Sequence, residues 1–211
     1  MSVINKQKKT AIILFNLGGP DSLKAVEPFL FNLFSDKAIL GVPQPIRYML
    51  ATLISKKRAP TAQDIYAKLG GKSPILENTQ AQAQLLKEAL QLHGKTEVFV
   101  CMRYWHPMSD EVVQKVKTYQ PDHIILLPLY PQFSTTTSAS SFSDWIKAAK
   151  RHKLDVPTTT LCCYPTQQGF IDAVAQLVIP AYQQAKTQGY PRILFSAHGL
   201  PERIVQAGDP Y

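Results

Sequence analysis

The sequence has 211 residues and a formal net charge of +8, with 45% hydrophobic and 18% charged residues. This ordinary globular balance suits one large domain, or one domain and part of another. No stretch approaches the run of roughly 18 apolar residues that a transmembrane helix needs, and there are no internal repeats or low-complexity segments.

The polar stretch Met1 to Thr10 carries Lys6, Lys8 and Lys9, and the short apolar run behind it ends in Gly-Gly-Pro. That is not a signal-peptide pattern, so the expected compartment is the cytoplasm. Three cysteines are too few and odd in number for a disulfide framework. Cys162 and Cys163 are adjacent, the wrong spacing for a zinc or iron–sulfur site, and read as strand or core residues. The basic residues are scattered and not interleaved with aromatics, so no nucleic-acid partner is expected. An anionic small molecule or an anionic membrane face explains the charge equally well.

In chain order, Ala11 to Leu17 is a buried strand, broken sharply by Gly18-Gly19-Pro20. The glycines let the backbone come close to a neighbour, but their spacing is not that of a dinucleotide fingerprint. Asp21 or Ser22 can cap a helix to about Ser35, with Val26, Leu30 and Leu33 on one face and Phe34 beside it. Ile46 to Lys57 reads as a second helix with an apolar stripe of Ile46, Met49, Leu50, Leu53 and Ile54, closed by Lys56-Lys57-Arg58. Thr61 to Leu69 is a shorter helix ending at Gly70-Gly71-Lys72-Ser73-Pro74. That turn is not a P-loop, because Tyr66 stands where the first glycine is needed and a helix precedes it. A long helix from about Leu76 to Leu92 follows.

Thr96 to Met102 is a second strand, Asp110 to Tyr119 a helix, and Asp122 to Pro128 a third strand. A helix from about Ser140 to Arg151 leads to a fourth strand, Val156 to Cys163. Gln167 to Lys186 is a long helix. The short run Ile193 to Phe195 then reads as a buried strand that delivers Ser196-Ala197-His198 to its exit. Alternating strands and helices at this spacing imply an α/β fold: a Rossmann-like parallel sheet flanked by helices. Ligands of such folds bind beyond the carboxyl ends of the strands. The exits supply Leu17-Gly18-Gly19, Arg103-Tyr104-Trp105-His106, Tyr130-Pro131-Gln132-Phe133 and Ser196-Ala197-His198. Aromatics with a few polar groups suit a large flat organic ligand better than a nucleotide.

Taken together, five motifs resemble the ferrochelatase family. They are Asn16 to Pro20, Tyr66 with Gly70 to Pro74, Arg103 to Pro107, Pro128 to Ser134 and Ser196 to Pro201, with Gly208 to Tyr211 at the end. The resemblance implies a chelatase-type α/β domain over residues 1–165 and the start of a second, similar domain over 166–211. It implies an enzyme that inserts ferrous iron into protoporphyrin IX to make haem, with porphyrin and Fe2+ as substrates and no organic cofactor. His198 inherits the role of catalytic base and metal ligand. Arg58, Tyr66 and Ser73 match porphyrin-binding positions in type, and Leu17, Leu33, Phe34 and Tyr130 match pocket-lining ones. Arg103 and Tyr104 match the loop beneath the ring. Without the surrounding matches, Tyr66 and Ser73 would read as turn and capping residues.

Some family members bind a [2Fe–2S] cluster through a cysteine after the third strand. Thr135 stands there in this sequence, so no cluster is expected at that site. The resemblance covers nearly all of this chain but about two-thirds of the family's length. The remainder carries the glutamate that faces the histidine, so a chain ending at Tyr211 is expected to be a truncated form, inactive by itself. Peripheral membrane contact is left open, and two alternatives stay open with it. One is a cobalt or nickel chelatase of a related tetrapyrrole, the other a non-catalytic α/β binding module.

Overall fold

The computed structural model describes residues 8–90 and 94–211. The expected end of the long helix at Leu92, and Met1 to Gln7 of the N-terminal stretch, lie outside the described residues. The chain divides into two compact units, Met1–Tyr130 with Thr135–Cys162, and Pro131–Ser134 with Cys163–Tyr211.

The first unit is built on a four-stranded parallel sheet of β1 (Lys9–Asn16), β2 (Lys95–Met102), β3 (His123–Pro128) and β4 (Thr158–Thr160), in the order β2-β1-β3-β4. β1 pairs with β2 on one side and β3 on the other, so the direction of winding reverses beside it. Its side chains divide between two cores. Ala11, Ile13 and Phe15 pack with Val112, Val113 and Val116 of α4 (Ser109–Tyr119) and Trp145 and Ala148 of α5 (Ser138–Arg151). Ile12 and Leu14 face Ala83 of α3 (Ile75–Leu90). Both sides are covered, which is why β1 reads as an unbroken apolar run instead of an alternating one. The β-rich run before Asn16 and the glycine turn after it were therefore good guides to where the strand stops.

A 3-10 turn (Leu23–Ala25) and α1 (Val26–Ser35) follow β1, and α1 packs against α2 (Gln44–Lys68). Here the structure corrects the sequence reading twice. The two helices expected at Ile46 to Lys57 and Thr61 to Leu69 are one continuous helix with Pro60 inside it. Pro60 forfeits one hydrogen bond. The buried stripe of Ala51, Ser55 and Ala59 runs at four-residue intervals up to that residue and holds the helix together. The same stripe explains the second correction. Small residues let α2 lie close on α1, so Ile46, Met49 and Leu53 of the expected apolar stripe are exposed, while Leu50 and Ile54 are half-buried.

The fourth strand is also shorter than expected, three threonines at the sheet edge with exposed side chains. Cys162 and Cys163 lie beyond it and are exposed, neither strand nor core.

The second unit contains α6 (Gln168–Lys186) and the short α7 (Glu202–Gln206), which the sequence did not signal. Gln167 caps α6, its side-chain oxygen accepting from the Phe170 N–H at 2.9 Å. The buried Asp209 accepts a hydrogen bond from the Ser134 hydroxyl at 2.9 Å, joining Pro131–Ser134 to the end of the chain. The strand expected at Ile193 to Phe195 is not formed. Residues 191–200 are neither helix nor strand, and Leu194 and Phe195 are 83% and 90% exposed. A strand needs a hydrogen-bonded neighbour, and the second unit has no strand among its described residues to supply one. No helix among the described residues is long and apolar enough to cross a membrane.

Candidate functional site

In the first unit the chemistry gathers at the carboxyl edge of the sheet. The reversal of winding beside β1 opens the crevice where ligands of such sheets bind. Gly18, at φ +84°, brings the β1 exit so close to the β2 exit that a Cβ would stand 3.0 Å from the Trp105 nitrogen. A Cβ on Gly19 would stand 2.5 Å from the Ser73 hydroxyl. The Ser73 N–H donates to the Pro20 carbonyl at 2.8 Å, so the turn before α3 is docked on the β1 exit. The Ser73 hydroxyl accepts from the Ile75 N–H at 3.3 Å, a capping contact that leaves its own proton free to donate.

The β2 exit continues the strand pairing. Arg103 and Tyr104 donate their N–H groups to the carbonyls of Asn16 (2.9 Å) and Leu17 (3.0 Å). Leu17 is thus fixed from both sides, its own N–H donating to the Asn16 side-chain oxygen at 2.8 Å. Phe34 is buried on α1, and the Arg58 guanidinium lies over its ring, 5.7 Å from the centroid. Leu33 beside it is half-buried. Tyr66 is half-buried near the end of α2, and burial raises its phenol above the ordinary value of 10.0. Tyr130, at the β3 exit, packs against the core that contains Phe15, and its burial likewise pushes its phenol up.

Arg103 and Tyr104 are turned inward. Tyr104 is only 1% exposed. Both donate to one carboxylate oxygen of Asp36, from Arg103 Nη2 and from Tyr104 Oη, each at 2.8 Å. Ser140, in the first turn of α5, donates to the same oxygen and accepts from Arg103 Nε at 2.7 Å. Burial pushes the Asp36 carboxyl up, but the Ser140 hydroxyl, the Arg103 guanidinium, the Ala38 N–H and the Tyr104 hydroxyl together hold it below the usual carboxylate value. A polar cavity of about 360 Å³ opens beside this group, lined by Asp36, Lys37, Arg103, Thr135, Asp144 and Lys147.

Sequence reasoning found Arg103 and Tyr104 but missed Asp36 and Ser140. Asp36 simply follows a helix end, and the partners that give it meaning lie 67 and 104 residues further on. His198 belongs to the second unit, where it is exposed on the irregular stretch 191–200. Among the described residues, no three His, Cys, Asp or Glu side chains are grouped to hold a metal.

A 2-1-3-4 parallel sheet whose strand exits collect glycine turns, aromatics and an arginine defines an open-sheet, Rossmann-like α/β protein. Within that class, the chain belongs to the ferrochelatase family, whose sequence pattern matches residues 9–211. It is 54% identical over 205 residues to a protein named Ferrochelatase from Wolbachia sp. subsp. Drosophila simulans (strain wRi), covering 96% of this chain and 65% of that one. It is 50% identical to a Ferrochelatase of Caulobacter vibrioides, covering 97% of this chain and 59% of the relative. The Ferrochelatase of Rickettsia bellii (strain OSU 85-389) is 48% identical, with 99% and 57% covered. The chain therefore spans between 57% and 65% of the length of these three relatives.

Proposed function

We propose that the chain forms one wall of a tetrapyrrole site and supplies the histidine of a ferrochelatase, which inserts ferrous iron into protoporphyrin IX. The observation that carries this reading is the grouping at the sheet's carboxyl edge in the first unit. Ser73 docks on Gly19 and Pro20, just past Leu17 on the β1 exit, and Arg58 lies on Phe34. Apolar and aromatic faces suit a flat macrocycle. A guanidinium and the hydroxyls of Tyr66 and Ser73 are suitable partners for its carboxylates.

Residues 1–165 are then the first chelatase domain and 166–211 the opening of a second, and the division of contacts after Cys162 supports that boundary. His198 acts as base and ligand. Two pyrrole N–H protons must leave before the ring can hold a divalent metal, and a neutral imidazole can accept a proton or bind iron. Ferrous iron is a substrate in this chemistry, and the reading calls for no organic cofactor and no cluster at Thr135. Peripheral membrane contact is part of the same reading. The exposed Ile46, Met49 and Leu53 lie along one side of α2, and the exposed Lys56 and Lys57 follow them, a combination suited to an anionic lipid surface.

The test is iron insertion by this chain, alone and joined to the remaining third of the Wolbachia relative. The joined protein is expected to turn over, and the 211-residue chain alone is not. In the joined protein His198→Ala should lose at least about 100-fold in rate, the scale of a lost general base, while porphyrin still binds. Unchanged turnover in that variant would sink the assignment. Preference for cobalt or nickel and a more acidic tetrapyrrole would replace it with the related chelatase.

A further inference from the structure

Four groups from three separate parts of the chain converge on one carboxylate. Asp36 follows α1 and belongs to no regular element. Its Oδ2 accepts from Arg103 Nη2 and Tyr104 Oη on the β2 exit, and from Ser140 Oγ in the first turn of α5. Its Oδ1 accepts from the Ala38 N–H at 2.9 Å, which turns the chain away from α1. Asn32, one helical turn before Asp36, donates to the Tyr104 carbonyl at 3.1 Å and gives α1 a second tie to the same loop. The Arg103 guanidinium lies 4.8 Å from the Tyr104 ring centroid. Its other acidic neighbour, Asp144, is 3.8 Å away and already accepts from the Ser109 hydroxyl at 2.7 Å.

Asp36 is the carboxylate hydrogen-bonded to Arg103, since Asp144 at 3.8 Å is too distant for a hydrogen bond. A negative charge at the first turn of α5 also suits that end of the helix dipole. Two hydrogen bonds at the Tyr104 backbone, one of them from the Asn32 side chain, link this cluster to the candidate site. Tyr104 N–H holds the Leu17 carbonyl, and Asn32 holds the Tyr104 carbonyl. The β2 exit is therefore the joint between Leu17 on one side and Leu33 and Phe34 on the other.

We infer that Asp36 is a positioning residue, a clamp that sets the spacing between the Leu17 turn and the Leu33–Phe34 wall through Arg103 and Tyr104. For the ligand this rests on the tetrapyrrole reading above; for the clamp itself it rests on the hydrogen bonds alone. The porphyrin meets the walls, while Arg103 and Tyr104 act from behind them. Tyr104 is too deeply buried to do otherwise.

The test compares Asp36→Asn with Asp144→Asn in the 211-residue chain, both isosteric and both removing one acid near Arg103. Two quantities are read well below each variant's melting temperature: protoporphyrin IX affinity, and hydrogen exchange of the Arg103 Nη–H groups, one of which bonds Asp36, seen by 15N NMR. Asp36→Asn is expected to weaken binding about tenfold, the scale of one lost charge-assisted hydrogen bond, and to release the Arg103 Nη–H groups to fast exchange. Asp144→Asn should change binding less than about twofold. A lowered melting temperature with unchanged affinity and unchanged Arg103 exchange would overturn the clamp and leave Asp36 a stabilising residue only. If the unaltered chain binds no porphyrin, the tetrapyrrole reading fails. The Arg103 exchange then decides the clamp by itself, and slow exchange retained in Asp36→Asn refutes it. If Asp36→Asn does not fold, Tyr104→Phe removes a single donor and keeps the packing. It should still weaken binding about threefold, and unchanged binding there counts against the clamp.

Discussion

The two units treat the same kind of apolar sequence in opposite ways. In the first, β1 has its apolar run from Ala11 to Phe15 almost wholly buried between helices on both sides. In the second, α6 is a 19-residue helix with no buried residue, and Leu177 is 79% exposed. The run Ile193 to Phe195 resembles β1 in composition and is exposed without forming a strand. A helix satisfies its own backbone, so α6 forms without burying any of its residues. A strand draws its hydrogen bonds from elsewhere, so composition alone does not make one. Apolar character in a sequence is a statement about what a segment needs, and only the fold says whether the need is met.

The sharpest way to break this contrast is truncation. Ile13→Ala in β1 is expected to cost about 2–5 kcal/mol of stability, and Leu177→Ala in α6 no more than about 0.5 kcal/mol, measured by urea unfolding. Equal losses would mean that Leu177 is packed against a partner. A smaller effect is expected at the first unit's candidate site. Gly19→Ala should cost about 1–3 kcal/mol, because its new methyl group collides with Ser73 and forces the α3 turn away from the β1 exit. Gly199 has open space around it and no positive φ, and gives the comparison in the second unit.

The third effect is a pH dependence that should appear in one unit. The Asp36 carboxyl lies below its ordinary 3.8 in the folded chain, so it contributes stability above that value. That stability is lost as pH falls through the lower folded value and Asp36 takes up a proton. The unaltered chain should therefore lose more stability than Asp36→Asn as the pH is lowered below 3.8, read as melting temperature against pH. Parallel curves would remove Asp36 from the account.

Much of the first unit was legible because its signals are local. Apolar runs ended by Gly18, Pro107 and Pro128 mark three strands and their exits. The exits carry Leu17, Arg103, Tyr104 and Tyr130 of the candidate site. What was hidden depended on distant partners. Nothing in the sequence near Asp36 points to Arg103 or Ser140. The small-residue stripe Ala51, Ser55 and Ala59 outweighed the larger apolar residues of α2, because close helix packing favours small side chains there. Lys56-Lys57-Arg58 read as a helix end, and packing carried the helix on through Pro60. His198 was singled out by a strand that does not form in the second unit, so its assignment rests on the motif around it and on family membership.

The most direct test of the central claim, that the first unit's sheet edge is a tetrapyrrole wall, is a titration of the 211-residue chain with protoporphyrin IX. Soret absorbance and tryptophan fluorescence are followed together, since Trp105 lies on the β2 exit. Saturable binding is expected, weakened about tenfold by Arg58→Ala through loss of a charge-assisted contact. A titration with no saturable Soret change, or one indifferent to Arg58, would contradict it.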